Sequence, residues 1–402
     1  MFKKSILIAS LSVFIFSCKK EEKVIQNITE TVQLGTYDNS KFKSNTVNER
    51  EFYNNYKLLL NTISTAKPGS VSDSVAGKRC QTLDLSNLQS ITNSGVIKIS
   101  DLASDEFKAL VLAEGGYLSK ATEASKVSNF IPNYSSIGTV GGRYALRSGY
   151  LFDQYGIDIE ELVQKSYFGA FYDKVFNELL LTKNISLSNI DKALVYYGAP
   201  TSFPNGMKIK VGSDSITDMY VAQYAARRDN SNGVGNGGFY SVIKAQFITL
   251  QQTLKKDSSN TTKIESTVST LRENWEKALM ATAINYLQAS KTNFTKTADT
   301  DKARALHAYG EVAAMLQGFK GVKAKTIISQ TQIDELLVLL NFSNLSATVN
   351  PLKFFESQTE QAKFQTAVTK IQSIYGFTDE QVNTLFIRND VSDRNIGIRI
   401  GE

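Results

Sequence analysis

"IDIEELVQKSYFGAFYDKVFNELLL", residues 157–181, decides the fold. Its apolar side chains fall at Ile159, Leu162, Val163, Tyr167, Ala170, Phe171, Val175 and Leu179. That three-and-four spacing marks one face of an α-helix, carried over about six turns. A strand would alternate with period two instead. The next stretch, "NISLSNIDKALVYYGAP" (184–200), opens on a cap-like serine and stops at Gly198 and Pro200. Further on, "TTKIESTVSTLRENWEKALMATAINYLQAS" (261–290) repeats Ile264, Val268, Leu271, Trp275 and Ala278 as a bundle seam would.

The same reading places helices at 48–64, 104–126, 238–256, 302–319, 330–341 and 356–374. "GVIKISDL" (95–102) is the best strand candidate, and the five prolines all avoid the strongly periodic segments. The expectation is an all-α fold of duplicated, packed helical bundles with few or no strands. A first bundle spans 46–215 and a second 216–402. "RRDNSNGVGNGGF" (227–239) punctuates that boundary. Glycines before a helix offer an anion seat, but no strand leads in and no G-K-[ST] follows, so the stretch reads as a connection rather than a P-loop. "GTVGGRYALRSG" (138–149) reads the same way.

With 402 residues, 42% hydrophobic and 21% charged, the chain suits an ordinary globular protein. The net charge of +6 is interspersed rather than blocked, so nucleic acid is not implied as a partner. At the N-terminus, Lys3 and Lys4 precede an apolar run from Ser5 to Ser17. A helix crossing a hydrocarbon core of ~30 Å needs about 20 residues, so this run fits a secretory signal instead.

"IFSC" (15–18) resembles the lipobox of bacterial lipoproteins. The resemblance implies that residues 1–17 are the signal peptide, that Cys18 is lipidated, and that 18–45 form a tether to the membrane. Lys19, Lys20, Glu21 and Glu22 look like the export tag of Bacteroidetes lipoproteins, which implies the outer membrane, on its cell-surface or periplasmic face. With Cys18 lipidated, Cys80 has no cysteine to pair with, so no disulfide framework and no multi-cysteine metal site exists. Cys80 reads as a small hydrophobe under a loop.

Catalytic readings are narrowed by subtraction. The chain holds one histidine, His307, which excludes two- and three-histidine zinc sites within one chain. H-E-x-x-H and G-x-S-x-G are both absent. His307 lies in "DKARALHAYGEVAAMLQGFKG" (301–321), with Glu311 one turn later on the same face. That face also carries Ala303, Gly310, Ala314 and Gly318, opposite an apolar face of Leu306, Tyr309, Val312, Ala313 and Leu316. A stripe of small residues lets another backbone approach closely, so His307 and Glu311 are expected to face a second helix inside the protein. There they either find hydrogen-bond partners, in one another or in an Asp or Tyr across the interface, or hold a ligand or metal.

"SYFGAFYDKVFNELL" (166–180), "NIDKALVYYGAP" (189–200), the helix with Trp275 and "KARALHAYGEVAAMLQGFK" (302–320), in that order, resemble a family of Bacteroidetes lipoproteins similar to the imelysins. The resemblance implies a duplicated helical bundle and an association with iron uptake, and some members were once classed as metallopeptidases. It maps Asp191, His307 and Glu311 onto candidate ligand or metal positions, while Asn189 and Ile190, or Ser188 and Asn189 in the other alignment, stand where the family carries histidines.

Three functions follow as expectations. The first is a non-enzymatic lipoprotein that binds a ligand or an outer-membrane receptor, in iron or haem acquisition. Next comes a divergent metal-dependent peptidase or hydrolase using His307, Glu311 and Asp191. Last is a surface glycan-binding protein, although Tyr167, Tyr172 and Trp275 sit on core seams. The expected catalytic residues are none. A divalent metal or haem is the candidate cofactor.

Overall fold

Helix caps and glycine stops set most of the element boundaries. A computed structural model describes residues 35–387 apart from 69–78, 103–104, 135–136, 145–148, 208, 212–213, 230–237 and 343–348. Cys18, the signal peptide, most of the tether and the glycine-rich part of 227–239 lie outside the described residues.

The order is α1 (Phe42–Asn45), α2 (Val47–Ser64), α3 (Leu85–Thr92), α4 (Asp105–Val111), α5 (Tyr117–Ala124), β1 (Gly142–Tyr144), β2 (Tyr150–Phe152), α6 (Ile159–Asp173), α7 (Leu187–Tyr197), β3 (Ile209–Val211), β4 (Asp214–Ile216), α8 (Tyr220–Arg227), α9 (Phe239–Lys256), α10 (Thr261–Phe294), α11 (Asp299–Gly318), α12 (Gln330–Leu339) and α13 (Gln358–Tyr375). The all-α expectation holds. The strands form two small antiparallel hairpins, β1 with β2 and β3 with β4. Side chains cap the helices where the sequence offers them. Asp158 opens α6, Ser186 opens α7, Asn260 opens α10, and Ser329 with Gln332 makes a capping box on α12. Gly198 ends α7 with φ of 91°, a left-handed conformation that glycine adopts without strain.

The core is built around α10, which packs against α9, α11 and α13, while α11 packs along α6. From Gly35 onward the chain forms one compact unit, and the boundary expected near residue 215 falls inside it. Trp275, Tyr167 and Tyr172 are fully buried in this core. Among the described residues no helix is long and apolar enough to cross a membrane.

Three expectations are corrected. "GVIKISDL" is not a strand: its Ile99–Asp101 form a 3-10 turn that buries Ile99. Among the described residues it has no partner strand, and a lone strand leaves its backbone groups unpaired. The described part of 138–149 is no loose connection but contributes β1. A Cβ on Gly141 would lie 2.0 Å from the Phe152 carbonyl oxygen, so the glycine permits a close backbone approach. Cys80 is exposed rather than covered, on a residue with φ of 59°.

Candidate functional site

Close contact between α6 and α11 creates the site. A Cβ on Gly169 would lie 1.8 Å from the Gly318 carbonyl oxygen, and one on Gly318 would lie 2.3 Å from that of Ser166. Only glycine at both positions lets the two backbones touch. Upstream, a Cβ on Gly310 would lie 2.8 Å from Ile157 Cγ2. The stripe of small residues on α11 is therefore the seat of α6 and of the turn that precedes it. Asp158, Glu161, Lys165 and Gly169 share one face of α6 at helical spacing, and His307, Glu311 and Gly318 share one face of α11. Contacts advance together along both segments, Asp158 with His307, Lys165 with Glu311 and Gly169 with Gly318, so the helices run parallel.

Asp158 is the hinge of the arrangement. Its Oδ1 accepts from the Glu160 N–H at 3.2 Å, capping α6, while Oδ2 meets His307 Nδ1 at 3.0 Å and Lys67 Nζ at 3.7 Å. The capping turn thus delivers a fully buried carboxylate to the single histidine. On the other ring nitrogen, His307 Nε2 lies 3.9 Å from Glu311 Oε2. Glu311 in turn pairs with Lys165 at 3.2 Å, and Lys165 pairs with Glu161 at 2.5 Å. Lys67 pairs with Glu160 at 2.7 Å. The Tyr150 ring lies 4.8 Å from the imidazole, and the Lys165 ammonium sits 4.8 Å from the centre of the Tyr224 ring.

The electrostatics follow from this packing. Burial opposes a charge on His307, yet the bond to Asp158 and the charges of Glu311 and Glu161 outweigh it and push the imidazole up to about 9. It is therefore an imidazolium at neutral pH. Burial would raise Glu161 as well, but Lys165, His307 and Lys67 together hold it down at about 2. Glu311 goes the other way: burial dominates and raises it despite Lys165 and His307. Counted formally, Asp158, Glu160, Glu161 and Glu311 face Lys67, Lys165 and protonated His307. One negative charge is left over, so the cluster nearly neutralises itself.

Expectation and structure agree that His307 and Glu311 share a buried face turned towards a second helix, where His307 bonds Asp158 across the interface while Glu311 lies 3.9 Å from its other nitrogen. Asp191 is elsewhere. It lies on α7, where its carboxylate accepts from Tyr37 Oη at 2.6 Å, Asn45 Nδ2 at 2.7 Å and Gln251 Nε2 at 3.4 Å, and so ties the first described segment to the body. Asp158, Glu161, Lys165 and Lys67 were not singled out from the sequence. The signal was a charged series, Asp158, Glu161 and Lys165, on the face of an otherwise apolar helix.

The donor types fit a divalent cation. Asp158, Glu161 and His307 offer ligand atoms that all lie within 4.8 Å of one another. Loading would require Lys165 to leave Glu161 and His307 to give up its bond to Asp158. A haem would have to displace the buried packing around His307, whose Nδ1 is bonded to Asp158. No protein-family model matches the chain, and neither a curated protein nor a solved structure is detectably similar to it.

Proposed function

We propose that the chain is a lipid-anchored lipoprotein of the outer membrane that binds a ligand or partner rather than catalysing a reaction, in the manner of the imelysin-like family it resembles. One observation carries the non-catalytic part. The chain's single histidine is buried inside a nearly neutral cluster with its Nδ1 bonded to the Asp158 carboxylate at 3.0 Å, so it is not poised as a general base towards solvent. The anchor rests on Cys18 and the residues around it. Two acyl chains or more hold a protein stably at a bilayer, at ~0.8 kcal/mol per buried CH₂. Replacing Cys18 by Ser tests the anchor: the protein moves from the membrane to the soluble fraction, and retention in the membrane would sink the reading. For partner binding, cross-linking in intact cells is expected to capture an outer-membrane receptor at near-stoichiometric yield. Peptide hydrolysis by the purified chain that disappears with His307→Ala would establish the peptidase alternative instead.

A second reading is a divalent-cation site at Asp158, Glu161 and His307, favoured by the closeness of their ligand atoms. The metal content of the purified full chain decides it. One equivalent of zinc, manganese or iron that is lost in His307→Ala supports the cation. A metal-free wild type with no uptake at micromolar metal leaves the cluster purely ionic.

A further inference from the structure

Beside β2 and α5, next to the start of α6 that carries the histidine cluster, a second buried acid lines a small pocket whose walls include Ile157 and Leu162. Asp153, Tyr117, Lys120 and Tyr155 converge there, with Leu110 and Phe342 among the apolar walls. Asp153 is 2% exposed, and its Oδ1 is saturated by the N–H groups of Tyr155 at 2.9 Å and Ile157 at 3.0 Å. Its Oδ2 faces Lys120 Nζ at 3.9 Å, which is beyond hydrogen-bond distance. The Lys120 ammonium lies 5.7 Å from the centre of the Tyr117 ring and 5.4 Å from that of Tyr155. Tyr117 is 2% exposed and its hydroxyl has no hydrogen-bond partner. About 20 Å³ of free space remains, room for a water-sized group.

The two lysines of the histidine cluster close fully on their acids, Lys67 on Glu160 at 2.7 Å and Lys165 on Glu161 at 2.5 Å, whereas Lys192 stays 3.8 Å from Glu49. Lys120 stops short, with its side chain 24% exposed at the mouth. Two aromatic rings and a half-satisfied carboxylate form a cation cage, and the chain's own ammonium stands where a ligand's would. We propose that this pocket receives a primary ammonium group on a short alkyl stem, with Lys120 as its built-in competitor. An incoming ammonium, with three donors, would give one to Asp153 Oδ2 and one to the Tyr117 hydroxyl, which accepts. The apolar walls take the stem, and Lys120 swings to solvent.

Calorimetric titration of n-propylammonium chloride into the full chain, matched against sodium chloride, tests this. The ligand equals the lysine side chain beyond Cβ, so affinity for the wild type should be on the order of millimolar, as expected for so few atoms. Lys120→Ala should bind at least tenfold tighter. Asp153→Asn, which keeps the acceptor needed by the turn, should lose binding. Tyr117→Phe, which keeps the ring, should weaken it at least threefold. Tetramethylammonium, with no hydrogen to donate, should not bind. The proposal is overturned if the wild type does not bind, if binding survives Asp153→Asn or Tyr117→Phe undiminished, or if tetramethylammonium binds equally well.

Discussion

Two buried acid sites in this protein solve the same problem in opposite ways. Between α6 and α11, four carboxylates are held by two lysines and the imidazolium of His307. On α10, Glu276 is fully buried and held by neutral donors alone among its hydrogen bonds. Its Oε1 accepts from Ile327 N–H and Ile328 N–H at 2.9 Å and from Tyr375 Oη at 2.7 Å, while Oε2 accepts from Tyr172 Oη at 3.0 Å. Burial raises Glu276 against these bonds. One acid thus pins α6, α13 and the segment before α12 onto α10 with directional bonds. The histidine cluster instead balances charge against charge, and its balance responds to pH. Neutral donors make a staple. Countercharges make a site whose state can change.

The largest expected effect breaks the staple. Glu276→Ala leaves two backbone N–H groups and the Tyr375 hydroxyl buried without acceptors, while Tyr172 can give its single proton to the Lys325 carbonyl, 2.9 Å away. Each orphaned group costs ~1–3 kcal/mol, so the loss should reach about 4 kcal/mol in urea unfolding. A loss below 1 kcal/mol would show that the bonds are not the source of stability there.

The charged cluster should show itself as a pH dependence. His307 has its ordinary value of 6.5 when unfolded and is pushed up to about 9 when folded, so the folded state binds the extra proton between those values. Its contribution is complete below 6.5 and is lost as pH rises through 9, amounting to about 3 kcal/mol. The difference in stability between wild type and His307→Gln should shrink by that amount across the interval. A difference that is flat with pH would make the cluster as inert as the staple.

The smallest effect concerns Asp191, which belongs to neither site. Asp191→Asn weakens the bonds from Tyr37 and Asn45 and should cost about 1 kcal/mol. Limited proteolysis should then cut faster ahead of α2, with the metal content and the pH dependence unchanged. A shift in either would tie Asp191 to the histidine cluster after all.

Much of this was legible in the sequence. Long periodic segments gave their helices, and the small residues Gly310, Ala314 and Gly318 announced a close helix packed against His307. Its identity was not legible, because Asp158 and His307 are 149 residues apart and nothing local links them. Glu276 was overlooked for a related reason. It lies beside Trp275 in a seam where apolar spacing draws the eye, and its donors come from three distant segments. Of the three glutamates on α10, Glu265, Glu273 and Glu276, only Glu276 is buried. The helix expected at 104–126 is broken into α4 and α5 near Gly115 and Gly116, where Gly115 takes φ of 73°.

Because the chain has one histidine, its protonation can be read without assignment ambiguity. An NMR titration of the ¹⁵N-labelled imidazole in the folded protein is the most direct test of the compensated cluster. A midpoint near 9 is expected, with both ring nitrogens protonated at pH 7. A midpoint at or below the ordinary value of 6.5 would contradict it, because His307 would then be neutral and the four carboxylates would face Lys67 and Lys165 alone.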